Sequence, residues 1–133
     1  MTVFKEKNFK IILVDENVQF RNTLASRLRM TGFHVEFASG GFHLIYLLEK
    51  YGNYNLIIVH ENMVDMPAEE MVQLIRLHKT KAELPILFIS ANSNEEDIFE
   101  MVSIGANEFI ITPNTPQPIV ERTLKYFSLI KNS

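Results

Sequence analysis

The chain has 133 residues, which suits one domain at roughly 100–200 residues each. Hydrophobic residues make up 47% and charged residues 22%, a globular composition that excludes wholesale disorder. A net charge of −3 gives no general pull toward nucleic acid or anionic membrane, and the absence of cysteine excludes disulfides, thiolate zinc sites and a cysteine nucleophile.

The opening residues Met1 to Asn8 hold no long apolar stretch, so they do not read as a signal peptide. No run of about 18 apolar residues occurs anywhere, and the expectation is a cytoplasmic protein without a membrane span. Ile11-Ile-Leu-Val14 is a continuous apolar run, as in a strand covered on both faces. Phe20, Leu24 and Leu28 recur every fourth residue and predict a helix closed by Gly32. Phe33 to Phe37 alternates like an edge strand. Leu44, Leu47, Leu48 and Tyr51 mark a second helix, closed by Gly52. Leu56-Ile-Ile-Val59 is a third strand, followed by a helical stripe of Met71, Leu74, Ile75 and His78. Pro85 to Ile89 is a fourth strand. Ser93-x-x-Glu96 reads as a capping box before a helix through Ile98, Met101 and Val102 to Gly105. Phe109-Ile-Ile111 is a fifth strand. Thr115-Pro116 reads as an N-cap with proline at the first position of a last helix, from about Pro116 to Lys131.

Strand and helix thus alternate five times. The expected fold is α/β: a five-stranded parallel sheet, doubly wound as (βα)5 in the flavodoxin-like manner. No linker, repeat or low-complexity segment interrupts it, so residues 1–133 are expected to form a single domain with its core at about 9–131.

Function in such sheets gathers beyond the carboxyl ends of the strands. Those positions hold Asp15 and Glu16, then His60, Ser90 and Thr112. The turn after the first strand is not a phosphate cradle. No G-x-G-x-x-G or G-x-x-x-x-G-K occurs, and its carboxylates repel phosphate. No nucleophile elbow G-x-S-x-G occurs either.

In order along nearly the whole chain, Ile11-Ile-Leu-Val-Asp-Glu-Asn17, Ala38-x-x-Gly41, Leu56-Ile-Ile-Val-His60, Pro85-Ile-Leu-Phe-Ile-Ser-Ala91, Gly105-Ala-Asn-Glu-Phe109 and Thr112-Pro113 resemble the receiver domain of bacterial two-component response regulators. The resemblance implies an aspartate at the end of the third strand that accepts phosphate from a histidine kinase. It also implies a lysine after the fifth strand, and an acidic pair after the first that holds magnesium. This chain departs from that pattern: His60 stands at the acceptor position, Thr112 at the lysine position, and Asp15-Glu16 is the acidic pair. Phosphoryl transfer needs a nucleophilic carboxylate and neutralisation of the phosphoryl charge. Both are altered here, so no catalytic residue and no enzyme activity are expected. No cofactor is expected to be required, and magnesium at Asp15 and Glu16 is expected to be weak at most.

Further expectations attach to individual residues. Asp15 alternatively reads as a helix N-cap. His60 is expected to fill the emptied pocket, as a neutral histidine or in an ion pair with Asp15 or Glu16. Ser90 and Phe109 occupy the hydroxyl and aromatic switch positions of the resemblance, beside Thr112. The Thr112–Pro113 bond is expected to be cis, as in that family. His34, His43 and His78 are scattered, and Arg21, Arg27 and Arg29 do not make a nucleic-acid surface. On the fifth helix Ile119, Thr123, Phe127 and Ile130 are expected to face inward. Phe99, Val120 and Leu124 are expected to form an exposed apolar patch on helix four, strand five and helix five. A protein partner, or a second copy in a homodimer, is expected to bind there.

Together these give a phosphorylation-independent protein–protein interaction module of two-component or phosphorelay signalling. Its effector is expected on a separate chain or outside this sequence. The runner-up is a receiver-like sensor of a metal ion or proton at the altered pocket.

Overall fold

The computed structural model describes the backbone of residues 9–131 and the side chains of residues 9–129. Five strands and five helices alternate: β1 (Lys10–Val14), α1 (Val18–Met30), β2 (His34–Ala38), α2 (Gly41–Tyr51), β3 (Leu56–His60), α3 (Ala68–Arg76), β4 (Ile86–Ser90), α4 (Glu95–Ile104), β5 (Glu108–Ile111) and α5 (Gln117–Lys131). The strands pair in parallel in the order β2-β1-β3-β4-β5.

Period-2 alternation sends the apolar runs to both faces of the sheet. Ile12, Val14, Ile57, Val59, Ile86 and Phe88 pack with Leu44, Met71 and Met101 from α2, α3 and α4. Ile11, Leu13, Leu56, Ile58, Leu87 and Ile89 pack with Leu24, Leu28, Ile119 and Phe127 from α1 and α5. This double burial explains why the central strands read as unbroken apolar runs. β2 is an edge strand, as its alternation predicts. Arg29 donates to the Val35 carbonyl at 2.8 Å, and the Arg21 and Arg29 guanidiniums lie over the Phe37 ring. These arginines cover an exposed strand edge. Chain order reverses between β1 and β3, which opens a crevice beyond their carboxyl ends.

Helix boundaries differ from the sequence expectations where polar residues compete for the cap. Asn17, not Asp15, caps α1, its side chain accepting from the Phe20 N–H at 3.1 Å. Asn94, not Ser93, caps α4 by accepting from the Glu96 and Asp97 N–H groups. The α5 helix starts at Gln117, and the Pro116 carbonyl accepts from Ile119 and Val120. Tyr51 and His78, the last members of two predicted stripes, are exposed.

Two larger corrections concern the β5–α5 region. No peptide bond among the described residues is cis, so Thr112–Pro113 is trans. An X–Pro amide prefers trans by roughly 0.5–1 kcal/mol, and this bond keeps that preference. The expected three-residue apolar patch is absent. Phe99 is 74% exposed, but Val120 is only 5% exposed and Leu124 packs half-buried against the α1–α5 core. The inward arc of α5 is wider than a single stripe because it covers both the sheet and α1. Ile119, Val120, Thr123 and Phe127 therefore all turn in. The Ile130 side chain lies outside the described residues.

Candidate functional site

Asp15 ends the buried β1 run and is itself 3% exposed. Its Oδ1 accepts two N–H groups, from the Asn17 backbone and from Asn62 Nδ2, each at 2.8 Å. Its Oδ2 is buried without a hydrogen-bond partner. Asn62, in the loop after β3, also accepts from the Glu16 N–H through Oδ1 at 3.0 Å. Glu16 returns the link, its Oε2 accepting from the Val64 N–H at 2.8 Å. Residues 15–16 and 62–64 are thus tied together across the β1/β3 crevice.

His60 sits half-buried at the end of β3. Its Nδ1 accepts from the Asn62 N–H at 3.4 Å, and its Nε2 lies 3.3 Å from Thr112 Oγ1. An accepting Nδ1 leaves the proton of the neutral ring on Nε2, which then donates to the threonine hydroxyl. The expected ion pair with Asp15 or Glu16 does not form. The ion pairs among the described residues are Lys10–Glu36 and Arg122–Glu108. The imidazole meets Thr112, the residue after β5, and Phe20 lies beside it at 6.5 Å between ring centroids.

Ser90 is fully buried at the end of β4. Its Oγ accepts from the Asn92 N–H at 3.0 Å, and its carbonyl accepts from the Thr112 N–H at 2.8 Å. Phe109 packs half-buried on Phe88, with ring centroids 5.3 Å apart. Both line a cavity of about 370 Å³ with Met63 and Met101 on its floor and the carboxylates of Glu61, Glu69, Asp97 and Glu100 at its rim.

The resemblance implies a magnesium ion between Asp15 and Glu16, and the side chains present do not fit it. Magnesium demands near-octahedral oxygen ligands at about 2.0–2.1 Å. Both lone pairs of Asp15 Oδ1 are taken by N–H donors, Glu16 Oε2 is taken by Val64, and the end of β3 offers an imidazole. Among the described residues no three His, Asp or Glu side chains are placed to share a metal ion.

The structure brings Asp15 and Glu16 together, and His60 with Thr112, while Ser90 and Phe109 lie on the neighbouring cavity. Sequence reasoning missed Asn62 and Asp65 as organisers. Asp65 Oδ1 and Oδ2 accept from the Gly41 and Phe42 N–H groups at 2.9 and 3.1 Å, pinning the β3–α3 loop to the start of α2. The paired glycines were the available signal. A Cβ at Gly40 would lie 2.8 Å from the Asp65 carboxylate oxygens.

Comparison with known proteins agrees with this geometry. Residues 11–124 match the family model for the response regulator receiver domain. The chain is 30% identical over 128 residues to the chemotaxis protein CheY-3 of Vibrio cholerae, covering 96% of this chain and 98% of that protein. It is 26% identical over 122 residues to CheY of Pseudomonas aeruginosa, covering 91% and 98%. Among solved structures, the chemotaxis response regulator CheY4 of Vibrio cholerae superposes with a TM-score of 0.80 at 24% identity, covering 89% of this chain and 98% of that one. The fold, the crevice at the β1/β3 switch point and these matches place the chain in the response regulator receiver domain family.

Proposed function

We propose that this receiver domain signals by binding a protein partner without aspartyl phosphorylation at its pocket. Receiver domains act in signalling through partner proteins. The observation that carries the finer reading is the side chain at the end of β3. His60 stands where the family resemblance calls for an acceptor aspartate, and its ring is bonded to Thr112 at the position called for as lysine. Neither the nucleophilic carboxylate nor the neutralising ammonium is available there. Asp15 and Glu16 place negative charge at the site, which disfavours an incoming phosphoryl group. The alternative, a metal or proton sensor, is not supported. The imidazole makes no ion pair with the carboxylates, and Asp15 Oδ1 and Glu16 Oε2 are committed to N–H donors.

Incubation with acetyl phosphate and magnesium, followed by intact-mass measurement, tests the reading. The expected result is an unchanged mass. A phosphoryl adduct on a pocket residue contradicts it. His60→Asp alone is expected to restore little labelling, because Thr112 leaves the phosphoryl charge unneutralised. Combining it with Thr112→Lys is expected to restore more.

A further inference from the structure

We infer that Asn62 does the work of a cation in this pocket, so that the β1–α1 and β3–α3 loops are clasped without any divalent ion. A cation between two acidic loops satisfies carboxylate lone pairs and holds the loops at a fixed distance. The Asn62 side chain fills one lone pair of Asp15 and holds the two loops together. Its Nδ2 donates to Asp15 Oδ1 at 2.8 Å, and its Oδ1 accepts from the Glu16 N–H at 3.0 Å. One amide thereby grips two consecutive residues of the opposite loop, 47 and 46 positions away in sequence.

The surrounding bonds close the same clasp. The Asn17 N–H takes the second lone pair of Asp15 Oδ1, and the Val64 N–H reaches back to Glu16 Oε2. The Asn62 N–H donates to His60 Nδ1, which joins the clasp to the His60–Thr112 contact at β5. An amide donor and a metal ion cannot hold the same lone pair. Asp15 Oδ1 is thereby closed to an ion, and the partnerless Oδ2 is buried away from solvent.

The charge arithmetic supports this assignment. A carboxylate at position 62 would add a third negative charge beside Asp15 and Glu16 and remove the donor to Asp15 Oδ1. Such a pocket requires a cation. With asparagine it has a neutral donor in the cation's place. Asn62 is thus a positioning residue, acting through Asp15 and Glu16. The inference concerns the clasp alone, and its failure would leave the phosphorylation result untouched.

Thermal unfolding of the full chain in EDTA and in millimolar magnesium chloride tests it with Asn62→Ala and Asn62→Asp. The wild-type Tm is expected to be the same in both solutions. Asn62→Ala is expected to lower Tm by roughly 3–8 °C in either solution, for the lost charge-assisted bond to Asp15 and the lost neutral bond from the Glu16 N–H. Asn62→Asp is expected to lower Tm in EDTA and to recover most of the loss in magnesium, a dependence that a merely structural asparagine would not produce. A wild-type Tm that rises with magnesium, an Asn62→Ala Tm equal to wild type, or an Asn62→Asp loss that magnesium leaves unchanged would each overturn the inference. Should Asn62→Asp fail to fold, hydrogen exchange of the wild-type Glu16 and Val64 amides in EDTA decides. Protection is expected, and free exchange at both overturns it.

Discussion

Asp15 carries the sharpest tension at the scale of single residues. A carboxylate buried to 3% exposure has one oxygen saturated by two N–H donors and the other with no partner. An unpaired charged oxygen shielded from water is costly, and Glu16 adds like-charge repulsion beside it. Asp15→Asn keeps an acceptor for Asn17 and Asn62 and removes the charge. It is expected to stabilise the fold by about 1–2 kcal/mol, read as a higher midpoint in urea. A lower midpoint would show that the charge itself holds the clasp. Much of this cluster was legible in the sequence, because residues at strand ends occupy the crevice whatever the loops do. Which bonds they make was not. Of the two side chains that could have met Asp15, Asn62 bonds its Oδ1 and the His60 ring bonds Thr112. That competition is settled between loops far apart in the chain.

The scale of elements shows the same division between local and tertiary information. The five apolar runs and the glycines at 32, 52 and 105 marked strands and helix ends correctly, since these signals are local. Asn94 displaced Ser93 as a cap because its side chain reaches two N–H groups of the first turn. The start of α2 has no cap from its own preceding residue, and Asp65 of another loop supplies it. Burial works to raise the Asp65 pKa, but the N–H groups of Gly41, Phe42, Asp65 and Met66 outweigh it and hold the carboxyl below its ordinary 3.8. A depressed carboxyl stabilises the fold above its unfolded pKa and loses that contribution as pH falls through the folded one. Asp65→Ala is expected to cost about 1–2 kcal/mol at pH 7, with the difference from wild type shrinking only below about pH 4. Equal stability of the two proteins at pH 7 would refute the cap.

For the whole molecule, the expected partner surface is smaller than the sequence suggests. Helical geometry placed Phe99 outside correctly, but it could not set the rotation of α5, which depends on packing against α1. Val120 and Leu124 are consequently part of the core. Phe99 stands on α4 as an exposed aromatic at 74%, near the acidic first turn of Glu95, Glu96 and Asp97. Phe99→Glu is expected to leave stability within about 0.5 kcal/mol, as for a surface substitution, while weakening partner capture or self-association. Undiminished capture would move the interface away from α4.

The claim that this receiver works without pocket phosphorylation is tested most directly by amide NMR spectra recorded with and without beryllofluoride and magnesium. The resonances of Ser90, Phe109 and Thr112 report the strand ends where an acyl-phosphate mimic would act. The account predicts that they do not move. Saturable shifts at all three, with magnesium required, would contradict it.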